Sequence, residues 1–351
     1  MRIFCMGEDC GMSAARTIRE ASRSVKGRRR RESARMACLR SFVCDACRMF
    51  RFSACLVLLL SSVLIGDDCL VVDDESFDEQ ATIGATALHE QGKLVPLAKL
   101  RTQLKRVHCE LALPESRKAK LSPSEVYRLV RSSTVVVATF YHCSKCQDWH
   151  LDSASGFVAA DGVVSTCEHV VDFEDEDMKD GFLVVADAKG RVFPVTEVLA
   201  SNADSDTCLL RVAGLDLPPL PLSRTAQVGD PVFCLSHPDG NHWMFTAGML
   251  SRFFINREAA TDGEKPPGKT KIAPSLYINI TAEFSPGSSG APVVDECGNV
   301  VGQVESITSS LEEEKGGEGK NVTTSYGMPL RSCVSSEEIA KLTRMPAKPA
   351  K

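Results

Sequence analysis

From Thr134 onward the chain is a succession of short apolar runs rich in Val, Phe and Leu. Each is closed by a tight polar turn, among them Asp161-Gly162, Pro238-Asp239-Gly240 and Cys297-Gly298-Asn299. Runs of strand length separated by turn residues fold back on their neighbours. The pattern therefore predicts antiparallel β-barrels and argues against alternating β and α units. At 351 residues the chain has length for two domains, and 43% hydrophobic content is ordinary for a globular protein.

Within this region the stretch Phe284-Ser285-Pro286-Gly287-Ser288-Ser289-Gly290-Ala291-Pro292 sets Ser289 in a tight, glycine-flanked turn. A serine hydroxyl is a poor nucleophile near neutral pH. It needs a base to take its proton and backbone donors to hold the oxyanion formed on attack. Gly287 permits a backbone in which the amides of Gly287 and Ser289 converge on one point. Gly290 keeps the space behind the serine free of side chain. Taken alone, a glycine-serine turn between two strands reads equally well.

Upstream, residues 153–172 read as a strand from Gly156 to Ala159, an Asp-Gly turn, and a second strand running into His169. An imidazole titrates near neutrality and suits a general base. Asp204 and Asp206 stand at the mouth of the apolar strand Cys208 to Val212, where a carboxylate can fix the tautomer of a histidine. Each residue has an ordinary structural reading. The order His, Asp, Ser, with each in its own context, points to nucleophilic catalysis.

These segments resemble the trypsin-like serine proteases, closest to the bacterial HtrA-like branch. The resemblance rests on Gly156-Phe157-Val158 before Glu168-His169-Val170-Val171, and on Asp206-Thr207-Cys208-Leu209-Leu210-Arg211-Val212. It continues through Gly229-Asp230-Pro231-Val232, His237-Pro238-Asp239-Gly240, Thr246-Ala247-Gly248-Met249-Leu250-Ser251 and Tyr326-Gly327-Met328-Pro329-Leu330. It covers roughly residues 122–335, and its register selects Asp206 over Asp204. The resemblance implies two six-stranded antiparallel barrels, with His169 and Asp206 from the first and Ser289 from the second. It also implies an oxyanion hole from the Gly287 and Ser289 amides and, by family habit, a trimer. Two departures, Ser288 and Ala291, replace residues usual in the family and leave the triad intact. Glu283 stands where the family lines its primary specificity pocket, and an acid there favours Lys or Arg. The other reading points Glu283 to solvent or pairs it with Arg252 or Lys271.

Charge divides the rest. Residues 1–51 hold 13 basic and 5 acidic side chains, followed by the apolar run Ala54–Gly66. That reads as a basic leader and signal peptide over 1–66, with an uncleaved signal anchor as the rival. It predicts export to the periplasm or envelope, or secretion, with membrane contact only through an uncleaved signal. The basic run at 26–31 lacks interleaved aromatics, so no nucleic-acid partner is expected. Residues 67–121 read as a linker or prodomain-like element. Leu97, Leu100, Leu104, Val107 and Leu111 mark one face of a helix between Pro96 and Pro114. Ser122-Pro123 starts a helix over Glu125–Arg131, and the first strand runs from Thr134 to Tyr141. Residues 256–273 and 312–320 read as polar surface loops. A helix over Ser336–Leu342 opens a tail, 336–351, too short for a PDZ module.

Of 15 cysteines, 6 lie in residues 1–66. Cys167 and Cys208 read as small buried hydrophobes. His142-Cys143-Ser144-Lys145-Cys146 with His150 offers a hairpin disulfide as the first reading and a zinc site on Cys143 and Cys146 as the second. No cofactor is expected. The whole reads as a serine endopeptidase of envelope protein processing or quality control, with protein or peptide substrates. A protease fold with silent chemistry, serving as a binding or scaffold protein, is the alternative. A thiol oxidoreductase built on Cys143 and Cys146 is a third reading, but no βαβ pattern surrounds that pair.

Overall fold

A computed structural model describes residues 71–257, 273–308 and 328–343, together with the backbone of 311–314 and 323–326. The leader and apolar run at 1–66 lie outside the described residues, as do 258–272 and 315–322 of the two polar loops. From Val72 onward the described residues form one compact unit.

Two closed six-stranded barrels make the body of that unit. The first is β1 (Thr134–Cys143), β2 (Trp149–Ala160), β3 (Val163–Thr166), β4 (Met178–Ala186), β5 (Val192–Asn202) and β6 (Thr207–Val212), closed in the order β1-β2-β3-β6-β5-β4. The second is β7 (Pro231–Ser236), β8 (Met244–Asn256), β9 (Ser275–Ile280), β10 (Pro292–Val294), β11 (Val300–Thr308) and β14 (Leu330–Ser335), closed as β10-β11-β14-β9-β8-β7. A separate hairpin pairs β12 (Leu311–Glu314) with β13 (Thr323–Tyr326). Every strand pair is antiparallel, as the turn-punctuated sequence predicts.

The apolar runs are nearly unbroken because these strands are buried on both faces. In β1, Val135 and Val137 point into the first barrel against Val158, Val164 and Leu210. Their neighbours Val136, Ala138 and Phe140 face outward into a layer shared with helices and the second barrel, alongside Leu209, Phe233 and Val294. Strand side chains alternate between faces, so a run buried on both sides has no polar positions to alternate. The second barrel has its own interior, built from Val232, Ile278, Ile280, Val293 and Val304.

Among the described residues, five α-helices flank the barrels. Helix α1 (Asp74–Glu90) is capped by Asp73, whose side chain accepts from Ser76 N–H, and it buries Phe77, Ala81 and Ala85 at four-residue spacing. The acidic composition of this segment hides a 17-residue helix that the sequence reading treats as linker. Helix α2 (Leu97–Arg101) is five residues long. The helix expected from Pro96 to Pro114 stops there, and Val107 is exposed. Tertiary bonds claim the backbone instead: Arg106 C=O accepts from Ser201 N–H and Cys109 N–H donates to Leu342 C=O. Helix α3 (Pro123–Arg131) opens on a Ser122–Glu125 capping box. Helix α5 (Ser336–Leu342) follows β14, and α4 (Glu168–Val171) belongs to the site. Among the described residues no helix is long and apolar enough to cross a membrane.

Candidate active site

His169 does not end a strand as expected. Strand β3 stops at Thr166, Cys167 caps the single helical turn α4, and His169 lies within that turn. Asp206 closes the turn between β5 and β6 with φ 50, a left-handed conformation that aspartate tolerates better than most residues. Its carboxylate reaches α4. One oxygen accepts the His169 backbone N–H at 2.9 Å and the other lies 2.7 Å from Nδ1. Asp206 is fully buried. An ionised carboxylate only accepts, so Nδ1 carries the proton and Nε2 is left as the working nitrogen.

Burial alone would lower the His169 pKa. The Asp206 carboxylate outweighs it by charge and hydrogen bond, Glu305 and Glu168 add to the pull, and the imidazole rises to about 9. The His169 side chain remains 31% exposed. Glu305, on β11, is itself buried. Burial first and the Asp206 charge second push its carboxyl up to about 7.

The serine turn is two hydrogen-bonded turns in series. Ser288 N–H donates to Ser285 C=O across Pro286-Gly287, and Ala291 N–H donates to Ser288 C=O across Ser289-Gly290. Both glycines take φ 88, the sign required at the third position of such turns. Neither can be enlarged. A methyl on Gly287 would meet His237 C=O at 2.6 Å, and one on Gly290 would meet Ser155 C=O at 2.1 Å.

The turn also fixes where its amides point. Pro286 C=O accepts from Asp239 N–H at 2.8 Å. In a trans peptide the N–H points opposite to the C=O, so the Gly287 N–H faces away from Asp239. Neither the Gly287 nor the Ser289 amide donates to any described residue. Two donors close in sequence and without an acceptor are what an oxyanion hole requires. Ser289 is half-buried, and its Oγ makes no hydrogen bond with His169 or with any other described residue.

Ser155, on β2 and fully buried, joins this turn to the first barrel. Its N–H donates to Ser289 C=O at 2.9 Å, and its hydroxyl donates to Gly287 C=O at 3.0 Å while accepting from His237 N–H. Its carbonyl accepts from the hydroxyl of Thr166, three residues before His169. One residue therefore ties the nucleophile turn to the strand that delivers the histidine. Ser155 lies within the segment that leads to His169, but a serine before Gly-Phe carries no signal of its own in the sequence.

Helix α1 reaches the site through the loop after β7. Asp74 accepts from His242 N–H and Asp78 contacts His242 Nε2 at 2.7 Å. Phe77 packs on the His242 and Trp243 rings. Asp239, in the same loop, holds the Pro286 carbonyl.

Glu283 lies at the surface, 77% exposed, with Arg331 Nη2 3.4 Å from its carboxylate. Arg252 bonds Asn279 instead, and Lys271 lies outside the described residues. Cys167 and Cys208 are buried free thiols, both pushed well above the usual thiol range, burial first and nearby carboxylates second. Cys143 and Cys146 are free thiols rather than the hairpin disulfide expected.

A family model described as a trypsin-like peptidase domain matches residues 154–302. The chain is 28% identical over 166 residues to a protein named as a probable periplasmic serine endoprotease DegP-like from Pseudomonas savastanoi pv. phaseolicola, covering 46% of this chain and 30% of that one. It is 30% identical over 166 residues to a protein of the same name from Halomonas elongata, again covering 46% and 30%. The matches span about a third of the length of these curated relatives. Among solved structures, the Rv3671c protease from M. tuberculosis in its active form matches at 22% identity and a TM-score of 0.46, covering 68% of this chain and 95% of that one. The HtrA-type protease AlgW with decapeptide matches at 20% identity and a TM-score of 0.46, covering 62% and 65%.

Proposed function

We propose that the chain is a serine endopeptidase working through Ser289, His169 and Asp206, a reading supported by the match of residues 154–302 to a trypsin-like peptidase domain. Ser289 Oγ attacks the scissile carbonyl while His169 Nε2 takes its proton. Asp206 keeps the second imidazole proton on Nδ1 and balances the charge that forms. The carbonyl oxygen becomes an oxyanion held by the Gly287 and Ser289 amides. Collapse of the tetrahedral adduct transfers the Nε2 proton to the leaving amine and leaves an acyl-serine. Water then repeats the sequence with His169 again as base. Polypeptides are the substrates the family implies.

The observation that carries this reading is the pairing of His169 with a buried Asp206 through two hydrogen bonds, beside a turn whose two amides have no acceptor among the described residues. The absence of a resting Ser289–His169 hydrogen bond does not count against it, because such bonds commonly tighten only when substrate binds. With the leader read as a signal segment and the curated relatives named as periplasmic, the proposed place of work is outside the cytoplasm.

Labelling of the full chain with a fluorophosphonate, which reacts with a serine activated by a base, tests the proposal. A mass gain at Ser289 that is lost in Ser289→Ala is the expected result. A folded wild-type protein that takes up no label would favour the silent scaffold.

A further inference from the structure

The tip of the β1–β2 hairpin carries three soft donors that take no part in the peptidase site. Cys143, Cys146 and His150 each offer one ligand atom, and the three atoms lie within 4.8 Å of one another. Cys146 Sγ is 2.9 Å from His150 Nε2. Cys143 sits at the buried end of β1, Cys146 is exposed at the turn, and His150 is half-buried at the start of β2.

The backbone is wrapped around the two sulfurs. Cys143 N–H donates to Asp148 C=O at 2.9 Å and Gln147 N–H donates to Cys143 C=O at 3.1 Å. Gln147 adopts φ 63, which bends the chain back immediately after the second cysteine. The His150 ring is oriented by stacking on its cross-strand partner Tyr141, with centroids 5.5 Å apart. His142 alternates to the other face, against Trp149, and stays outside the group.

We infer that Cys143, Cys146 and His150 form a site for Zn²⁺ or another thiophilic divalent ion, with the fourth position open to solvent or to an incoming ligand. Tetrahedral zinc with ordinary Zn–S and Zn–N lengths places its donor atoms roughly 3.5–3.8 Å apart, inside the observed span. Cys146 and His150 need to part by about half an ångström to admit it. A disulfide would leave the His150 imidazole, 2.9 Å from Cys146 Sγ, without a role. The ion would cross-link the end of β1 to the start of β2 at the hairpin tip.

Cobalt(II) reports on this directly. Reduced, chelator-stripped full-length protein is titrated with Co²⁺ and its visible spectrum recorded, beside Cys143→Ser, Cys146→Ser and His150→Ala. The expected result is one equivalent bound with thiolate-to-cobalt charge transfer and intense tetrahedral bands, bleached by added Zn²⁺. Cys146→Ser, at an exposed position, should keep its fold and weaken binding roughly a hundredfold or more. Zn²⁺ should raise the thermal midpoint of the wild type and leave that of Cys146→Ser unmoved. Cobalt bands that persist at full strength in both cysteine variants would assign the ion to other cysteines and overturn the proposal. So would a wild-type protein that shows no tetrahedral bands.

Discussion

The first barrel closes in the order 1-2-3-6-5-4 and the second in the order 7-8-9-14-11-10, the same path traced twice. Their polar groups are handled in opposite ways. In the first, Asp206 is buried with both oxygens engaged by His169. In the second, the Ser289 turn leaves two amides without a partner, held in place only by bonds made to their neighbours' carbonyls. A buried charge is costly unless satisfied, so under the proposed mechanism the acid–histidine couple must be complete before substrate arrives. An oxyanion hole must be incomplete until then. Pre-organisation therefore means saturation on one side of the cleft and restraint without saturation on the other.

Changing the saturated side should do the most damage. Asp206→Asn keeps the shape but can hold His169 in the wrong tautomer, and labelling of Ser289 should slow by about 10⁴-fold. A variant that labels at the wild-type rate would remove Asp206 from the mechanism.

The restrained side comes next. Gly287→Ala forces a methyl to within 2.6 Å of His237 C=O in a backbone conformation that alanine avoids. Acylation should fall by about 10²–10³, with near-native circular dichroism. Retention of full activity would show that the Gly287 amide does not hold the oxyanion.

The seam between the two sides is Ser155. Removing its hydroxyl in Ser155→Ala leaves Gly287 C=O and His237 N–H without their bond. Denaturant unfolding should report a loss of about 1–3 kcal/mol. The labelling rate should fall with it, whereas a stability loss with unchanged labelling would make Ser155 a purely structural tie.

The smallest effect concerns pH. Only neutral His169 can accept the serine proton, so labelling should rise with pH and level off above about 9. Glu305 helps to hold that value up, and Glu305→Gln should move the midpoint to lower pH. A midpoint unmoved by the substitution would show that Glu305 is not sensed by the histidine.

The double barrel and the segments that carry His169, Asp206 and Ser289 are legible in the sequence. The Asp206, His169 and Ser289 segments each combine a reactive residue with a turn or strand signal, and local signals survive folding. The helix over Pro123–Arg131 was readable for the same reason, since Ser122 and Glu125 cap it from within. What escaped depends on partners distant in sequence. Helix α1 is defined by Phe77, Ala81 and Ala85 meeting a core made mostly of residues beyond 126. The helix expected through Val107 fails because Arg106 and Cys109 bond strands and helices about 95 and 233 positions away. Ser155 and Glu305 acquire their roles only when the barrels meet.

That last point bears on when the molecule becomes competent. The bonds that join the acid to the histidine, from Asp206 to His169 N–H and Nδ1, lie between residues 134 and 212, within a barrel that closes on itself. The direction of the Gly287 amide depends on Asp239, whose loop is braced by residues 74 and 78, and the turn's carbonyls depend on Ser155. Contacts of such sequence separation form late, because long loops must close first. A chain folded only as far as residue 212 would hold His169 against Asp206 yet lack the Ser289 turn and its amides, so under the proposed mechanism a half-folded chain has nothing to cut with.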